Sequence, residues 1–121
     1  MRRVAGLGCR AGASLAALQE ALARATGGEP VDALATLAPR VPVLRALAEA
    51  TGLPLIAIAP EAIAGLVTPT QSPRIAALLA TGCVAEAVAL CAIGSGARIL
   101  TPRQTSSDGS ATAAIAMREP L

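Results

Sequence analysis

The chain of 121 residues contains no His, no Lys and none of the aromatic residues Phe, Tyr and Trp. Without His there is no triad base and no proton relay near neutral pH, and without Lys there is no Schiff-base amine. Without aromatic rings, the bases of single-stranded nucleic acid have nothing on which to stack. The ten basic residues are all Arg and form no basic stripe suited to duplex DNA. We therefore expect no nucleic-acid partner.

Long apolar runs are also missing, although 54% of the residues are hydrophobic. The longest uncharged stretch, residues 62–73, includes two prolines, whereas a membrane-spanning helix needs about 20 apolar residues. The apolar stretch before Cys9 is shorter than the roughly 7–15 residues of a signal-peptide core. The sequence therefore predicts a cytoplasmic protein with no membrane partner.

Cysteine is scarce, and Cys9, Cys83 and Cys91 form no C-x-x-C motif. An odd number of cysteines without this spacing argues against a disulfide framework and against zinc, so we predict no metal site. Cys83 and Cys91 are interpreted as small buried apolar residues. Cys9 adjoins Arg10 and a predicted helix N-terminus, so we expect its pKa to be lowered. This makes Cys9 a candidate nucleophile, although no His is present to act as its base.

The most informative stretch is rich in glycine and runs from Gly6 to Ser14, between a short apolar run and a helical pattern that begins at Leu15. A strand that enters a helix through such a turn favours anion binding, because glycine lets the backbone approach a ligand and the first helical amides are free. Arg10 adds a planar donor for carboxylate or phosphate. The glycine spacing misses G-x-G-x-x-G by one residue and no Gly-Lys-Ser/Thr follows, so neither a dinucleotide site nor a P-loop is indicated.

Apolar runs and turn residues predict an α/β fold in a single domain over residues 1–121. The expected architecture is three-layer αβα, with a mixed, mainly parallel five-stranded sheet that ends in an antiparallel hairpin. Helices are predicted after Ser14, Pro42, Pro60 and Ser72-Pro73 and over Val84–Ala92, with a loop over Thr68–Pro73. The strands are predicted over Arg3–Gly8, Val31–Leu37, Leu53–Ala59, Arg98–Arg103 and Ala111–Met117. We expect the third strand to be buried on both faces at Leu55–Ile58 and the ligand to bind beyond the carboxyl ends of the strands.

Several segments together resemble a known family. Residues Gly6–Gly12 resemble the G-x-G-C-R-x-G signature of the CobE family, which matches the C-terminal domain of CbiG, the cobalt-precorrin lactone hydrolase. Val84–Leu90 is similar to a helix of that family, and Ile99–Arg103 with Ala111–Ala116 resembles its closing hairpin. The resemblance covers the chain from about Val4 to Met117.

This resemblance implies a role in cobalamin (corrin ring) biosynthesis with no cofactor. The whole CbiG enzyme opens a lactone ring on a cobalt corrinoid and releases acetaldehyde, whereas stand-alone CobE proteins of the aerobic route look like binders of corrinoid or precorrin intermediates. The other CbiG domains are missing here, so a binding or accessory protein is favoured. The alternatives are lactone hydrolysis as in CbiG and a scaffold that docks a methyltransferase or another enzyme of the pathway.

The candidate ligand-binding residues combine the glycine-rich stretch with two distant charges. They are Gly8, Cys9, Arg10 and Gly12, expected to form a carboxylate cradle, with Glu86 and Arg103 near its rim. Glu86 and Cys9 are the candidates for catalysis, with Asp32 as a further candidate base. Each has a structural alternative: the glycines permit a tight turn, Glu86 is a first-turn helix carboxylate, and Arg103 is a surface charge on an edge strand.

Overall fold

The computed structural model describes residues 2–64 and 84–119, which contain five strands and four helices. The strands are β1 (Arg2–Cys9), β2 (Ala33–Leu37), β3 (Leu55–Ile58), β4 (Arg98–Thr105) and β5 (Ala111–Arg118). The helices are α1 (Leu15–Thr26), α2 (Val41–Thr51), α3 (Pro60–Ile63) and α4 (Val84–Ile93), and a 3-10 turn over Ala38–Arg40 precedes α2.

The strands form one mixed sheet in the order β3-β2-β1-β5-β4. Strands β1, β2 and β3 are parallel, and β5 lies antiparallel between β1 and β4. The last two strands are joined by a tight turn, as the Asp108-Gly109 pair predicts, and Gly109 has a φ of 76°. The predicted α/β fold with a mixed, mainly parallel sheet is therefore confirmed.

Helix α1 begins and ends where its sequence predicts. The Ser14 hydroxyl accepts a hydrogen bond of 3.1 Å from the Ala17 amide, which satisfies one of the free donors of the first turn. Gly27 ends the helix in the left-handed conformation, with a φ of 59°. Glu20 and Arg24, four positions apart on the helix, form an ion pair at 2.7 Å.

Two apolar cores lie on opposite faces of the sheet. Helices α1 and α2 cover one face with residues such as Leu18, Leu44 and Leu47. Helices α3 and α4 cover the other with Ile63 and Val88. Aliphatic and alanine side chains fill both cores, so the layers pack at short range.

Helix α4 lies very close to the sheet at Gly6. A Cβ atom on Gly6 would overlap the Ala85 carbonyl oxygen and would lie 2.8 Å from the Ala89 Cβ atom. Only glycine therefore allows α4 to contact β1 at this distance. Because Gly6 allows Ala85 of α4 to lie against β1, it also sets the position of the next helical residue, Glu86.

The prediction that Leu55–Ile58 is buried on both faces is wrong. Ala57 is exposed, and Leu55 and Ile56 are only partly buried. The reason is that β3 is the edge strand next to β2, so it has a strand neighbour on one side only.

Cys91, interpreted from the sequence as a small buried residue, is partly buried and packs against the core that α3 and α4 form.

Some predictions lie outside the described residues: the loop over Thr68–Pro73, the helix after Ser72-Pro73 and the burial of Cys83. Within residues 2–64 and 84–119, no helix is both long enough and apolar enough to cross a membrane.

We predict that Gly6→Ala lowers the free energy of unfolding by about 1–3 kcal/mol, because the new methyl group forces α4 away from β1. Gly12→Ala is the matched control, since no atom lies within 4 Å of a Cβ at Gly12 and its φ is not positive. We expect its effect to stay within about 0.5 kcal/mol. Urea denaturation measures both values, and equal effects of the two substitutions would contradict the close contact.

Candidate functional site

Four strands end at the same edge of the sheet. Strands β1, β2 and β3 are parallel, and β4 runs in the same direction because both β1 and β4 are antiparallel to β5. Helices α1 and α4 begin at this edge, where Val84 lies beside Gly8. We call this region, with residues 8–14, 38–40, 84–86 and 103–112, the carboxyl edge. Open α/β sheets bind their ligands at such an edge.

Hydroxyl groups from both neighbouring strands fix the end of β1. The Thr36 hydroxyl donates to the Leu7 carbonyl at 3.0 Å, and the Thr112 hydroxyl donates to the Gly8 carbonyl at 3.2 Å. A Cβ atom on Gly8 would lie only 3.0 Å from the Thr112 hydroxyl oxygen. The packing of Thr112 therefore accounts for glycine at position 8.

The main-chain amides after β1 are only partly open. The Arg10 amide donates to the Ser110 carbonyl at 2.9 Å, and the Ala13 amide donates to the Arg10 carbonyl at 3.1 Å. These two amides are therefore engaged within the protein, so the predicted carboxylate cradle has fewer free donors than expected. The amides of Ala11 and Gly12, in the middle of this turn, donate to no acceptor within the described residues. The open part of the cradle is thus the turn at residues 11–12.

Arg10 and Arg103 both present exposed side chains at the carboxyl edge. Neither guanidinium makes a hydrogen bond or an ion pair with any residue in the described ranges. Arg103 lies on the edge strand β4, as predicted. Both side chains are therefore open to an external anion.

Glu86 lies in the first turn of α4, as predicted, but its side chain is fully buried. Its Oε2 atom accepts a hydrogen bond of 2.8 Å from the Arg103 amide. The β4–β5 pairing is irregular between Thr101 and Gln104, so the carboxylate bonds an amide at a break in the ladder. Glu86 therefore joins α4 to β4 beneath the surface. Pro102, inside the predicted strand, is the sequence signal of that irregularity.

Cys9 is half-buried and packs against the core beneath α1. Burial raises the pKa of its thiol, and the positive charge of Arg40 only partly opposes this effect. The expectation of a lowered pKa is therefore wrong, because desolvation outweighs the nearby charge.

Sequence reasoning did not identify Arg40 as a residue of this region. Its Nε atom donates a hydrogen bond of 2.9 Å to the Cys9 carbonyl. The signal that would have found it is positional, since Arg40 follows the second strand as Arg10 follows the first, and parallel strands end at the same edge.

Asp32 lies at the opposite edge of the sheet, just before β2 begins. Its Oδ2 atom accepts a hydrogen bond of 2.8 Å from the Arg3 amide near the start of β1. The proposal of Asp32 as a base for this site is therefore wrong, since the length of the strands separates it from Arg10.

Two shallow cavities, of about 330 and 420 Å³, also lie away from Arg10. Both are lined by the end of α1 and the segment after it, including Thr26, Glu29, Pro30 and Val31.

Within the described part of the chain, no three Cys, Asp or Glu side chains lie close enough together to hold a metal ion.

A family model described as "Cobalamin synthesis G C-terminus" matches residues 3–116. The chain belongs to this family. A comparison with curated proteins found no match.

Two crystal structures are similar over nearly the whole chain. One is CobE, a protein from the cobalamin (vitamin B12) biosynthetic pathway, with 28% identity, a TM-score of 0.80, and coverage of 98% of this chain and 93% of that one. The other is the cobalamin biosynthesis protein chiG from Agrobacterium tumefaciens str. C58, with 35% identity, a TM-score of 0.69, and coverage of 98% and 99%. The resemblance to the CobE family is therefore confirmed, and the chain is a cobalamin biosynthesis protein of the CobE and CbiG C-terminal type.

The turn between β4 and β5 belongs to the carboxyl edge and is held by a polar network. The Asp108 carboxylate accepts hydrogen bonds from the Ser106 hydroxyl, the Ser110 amide and the Ser110 hydroxyl at 2.7–2.9 Å. From α1, Arg24 donates to the Thr105 carbonyl, and Glu20 accepts from Ser107. Because the Ser110 carbonyl accepts the Arg10 amide, this network also supports the Arg10 turn.

We predict an acid-dependent loss of stability from this turn. Hydrogen bonds from Ser110 and then Ser106 lower the pKa of Asp108 to about 2, below its ordinary value of 3.8. A lowered pKa means that the carboxylate stabilises the fold above about pH 4 and that this contribution is lost as the pH falls to about 2. We therefore expect the difference in urea midpoint between the wild type and Asp108→Asn to shrink over that interval. A difference that stays constant from pH 6 to pH 2 would contradict the network.

Proposed function

We propose that this protein binds an anionic corrinoid or precorrin intermediate at the carboxyl edge. The observation that carries the proposal is the exposed Arg10 guanidinium, which has no partner within the described residues and lies beside the open turn at residues 11–12. Membership of a cobalamin biosynthesis family supports the class of ligand. Corrinoid acids carry acetate and propionate carboxylates around an apolar ring, so they suit a site with guanidinium and amide donors.

The six candidate residues divide into two roles in this proposal. Arg10 and the Gly12 amide bind one carboxylate of the ligand, and Arg103 binds at the rim. Gly8, Cys9 and Glu86 shape the site from beneath, because Gly8 and Glu86 are engaged in contacts within the protein and Cys9 packs against the core. The proposal places the ligand above the ends of β1 and β4, in a cytoplasmic protein that delivers it to other enzymes of the pathway.

The geometry favours binding over hydrolysis of the lactone. Glu86 is fully buried and accepts the Arg103 amide, so it does not present an open carboxylate to a substrate. The raised pKa of Cys9 leaves its thiol protonated near neutral pH. Neither candidate for catalysis is therefore placed as a ready base or nucleophile.

We predict that hydrogenobyrinic acid binds the purified chain and shifts its own visible absorption. Arg10→Ala should weaken the binding by about 1–3 kcal/mol, or about 5- to 150-fold in Kd, because a charge-assisted hydrogen bond is lost. A titration followed by absorption spectroscopy measures both Kd values.

Arg98→Ala is the matched control for this titration. Arg98 is also exposed but lies at the start of β4, at the opposite edge, where it pairs with Glu119 at 2.8 Å. An exposed pair contributes little to stability, so the variant should fold and bind like the wild type. Equal losses in Arg98→Ala and Arg10→Ala would indicate attraction by overall charge, and no spectral shift with folded wild-type protein would exclude the proposal.

A further inference from the structure

A second arginine, Arg40, is hydrogen-bonded to the main chain beside Arg10. Arg40 ends the 3-10 turn after β2, and its Nε atom donates to the carbonyl of Cys9, the residue immediately before Arg10. The Arg40 side chain is therefore hydrogen-bonded to the main chain immediately before Arg10, although 30 positions separate the two arginines in the sequence. Parallel pairing of β1 and β2 produces this arrangement.

The hydrogen bond to Cys9 orients the Arg40 side chain. A guanidinium is planar, so fixing Nε also limits the plane of its two terminal nitrogen atoms. Those two atoms have no acceptor within residues 2–64 and 84–119. Because Arg40 is half-buried, water screens its charge less than that of a fully exposed side chain. The free part of the group is thus pre-oriented for a carboxylate.

The positive charge at this position is not neutralised by the described part of the protein. The ion pairs there join Arg3 to Glu29, Arg24 to Glu20 and Arg98 to Glu119. Arg10 and Arg40 take part in none of them. Two arginines held at adjacent main-chain positions, neither paired with a carboxylate in the described ranges, favour an anion that carries more than one negative charge.

We infer that Arg40 binds a second carboxylate of the ligand, so that the site selects a macrocycle with at least two free carboxylates over its amide or ester forms. This inference rests on the proposed function, since it concerns the same site. Arg40 contacts the ligand through its terminal nitrogen atoms, while its Nε atom stays on the Cys9 carbonyl. Conversion of the peripheral carboxylates into esters removes the charge that both arginines recognise.

The test is a titration of four proteins with hydrogenobyrinic acid: the wild type, Arg10→Ala, Arg40→Gln and the double variant. We expect Arg40→Gln to raise Kd by about 10- to 100-fold, as for the loss of a charge-assisted hydrogen bond. The Kd of the double variant should rise by about the product of the two single fold-changes, because each arginine binds a different carboxylate. The methyl ester of the same compound should bind weakly, with no difference between the wild type and Arg40→Gln.

Two further variants separate binding from support of the backbone. Arg40→Lys keeps the charge but loses the planar fork, so its Kd should lie between those of the wild type and Arg40→Gln. Arg98→Gln should bind like the wild type. If Arg40 only held the Cys9 carbonyl in place for Arg10, Arg40→Gln would add nothing in the Arg10→Ala background, which would overturn the inference. Urea midpoints of all variants confirm that folded proteins are compared.

The outcomes also separate this inference from the proposed function. A wild-type spectral shift with equal Kd for Arg40→Gln overturns the role of Arg40 and leaves the corrinoid proposal intact. No spectral shift with folded wild-type protein overturns both. A selective loss in Arg40→Gln, confined to the free acid, supports both.

Discussion

The contact between α4 and β1 at Gly6 sets the geometry of the rest of the molecule. With no side chain at this position, the Ala85 carbonyl lies directly on the strand, and the small Ala89 side chain packs one turn later. The helix is thereby held close enough for the Glu86 carboxylate to reach the amide of Arg103 in β4. A larger residue at position 6 would separate the layers and leave a buried carboxylate beside an unpaired donor, both of which are costly. The alanine-rich composition therefore serves close packing of the layers.

The carboxyl edge combines a hydrogen-bonded main chain with the exposed charge of Arg10 above it. Hydroxyl groups of Thr36 and Thr112 fix the last carbonyls of β1, and the Ser110 carbonyl fixes the Arg10 amide. Main-chain atoms of the proposed site are thus held by hydrogen bonds within the protein, whereas the Arg10 side chain is exposed. This arrangement suits the proposed binding of an acidic macrocycle, because donors on a defined backbone orient a ligand without enclosing it.

The sequence predicted the parts of the structure that depend on local chemistry. The Ser14 cap, the Gly27 end of α1 and the Asp108-Gly109 turn each follow from the conformational preferences of one or two residues. Features that depend on distant segments were missed or wrongly predicted. The exposure of β3 follows from the strand order, the burial of Glu86 from the glycine at position 6, and the position of Arg40 from the pairing of β1 with β2. The pKa of Cys9 likewise depends on how deeply its thiol is packed, which no spacing of residues reveals.

The insertion of β5 between β1 and β4 has a consequence for biosynthesis of the chain. Gly8 and Thr112 are partners in the sheet although 104 positions separate them. During synthesis, β1 therefore has one side unpaired until β5 has emerged from the ribosome. Pairing between strands so far apart in the sequence is slow. During that interval the apolar β1 is vulnerable to pairing with another nascent polypeptide. The architecture that assembles the carboxyl edge thus also delays the pairing of β1 with β5 until nearly all of the described chain has been synthesised.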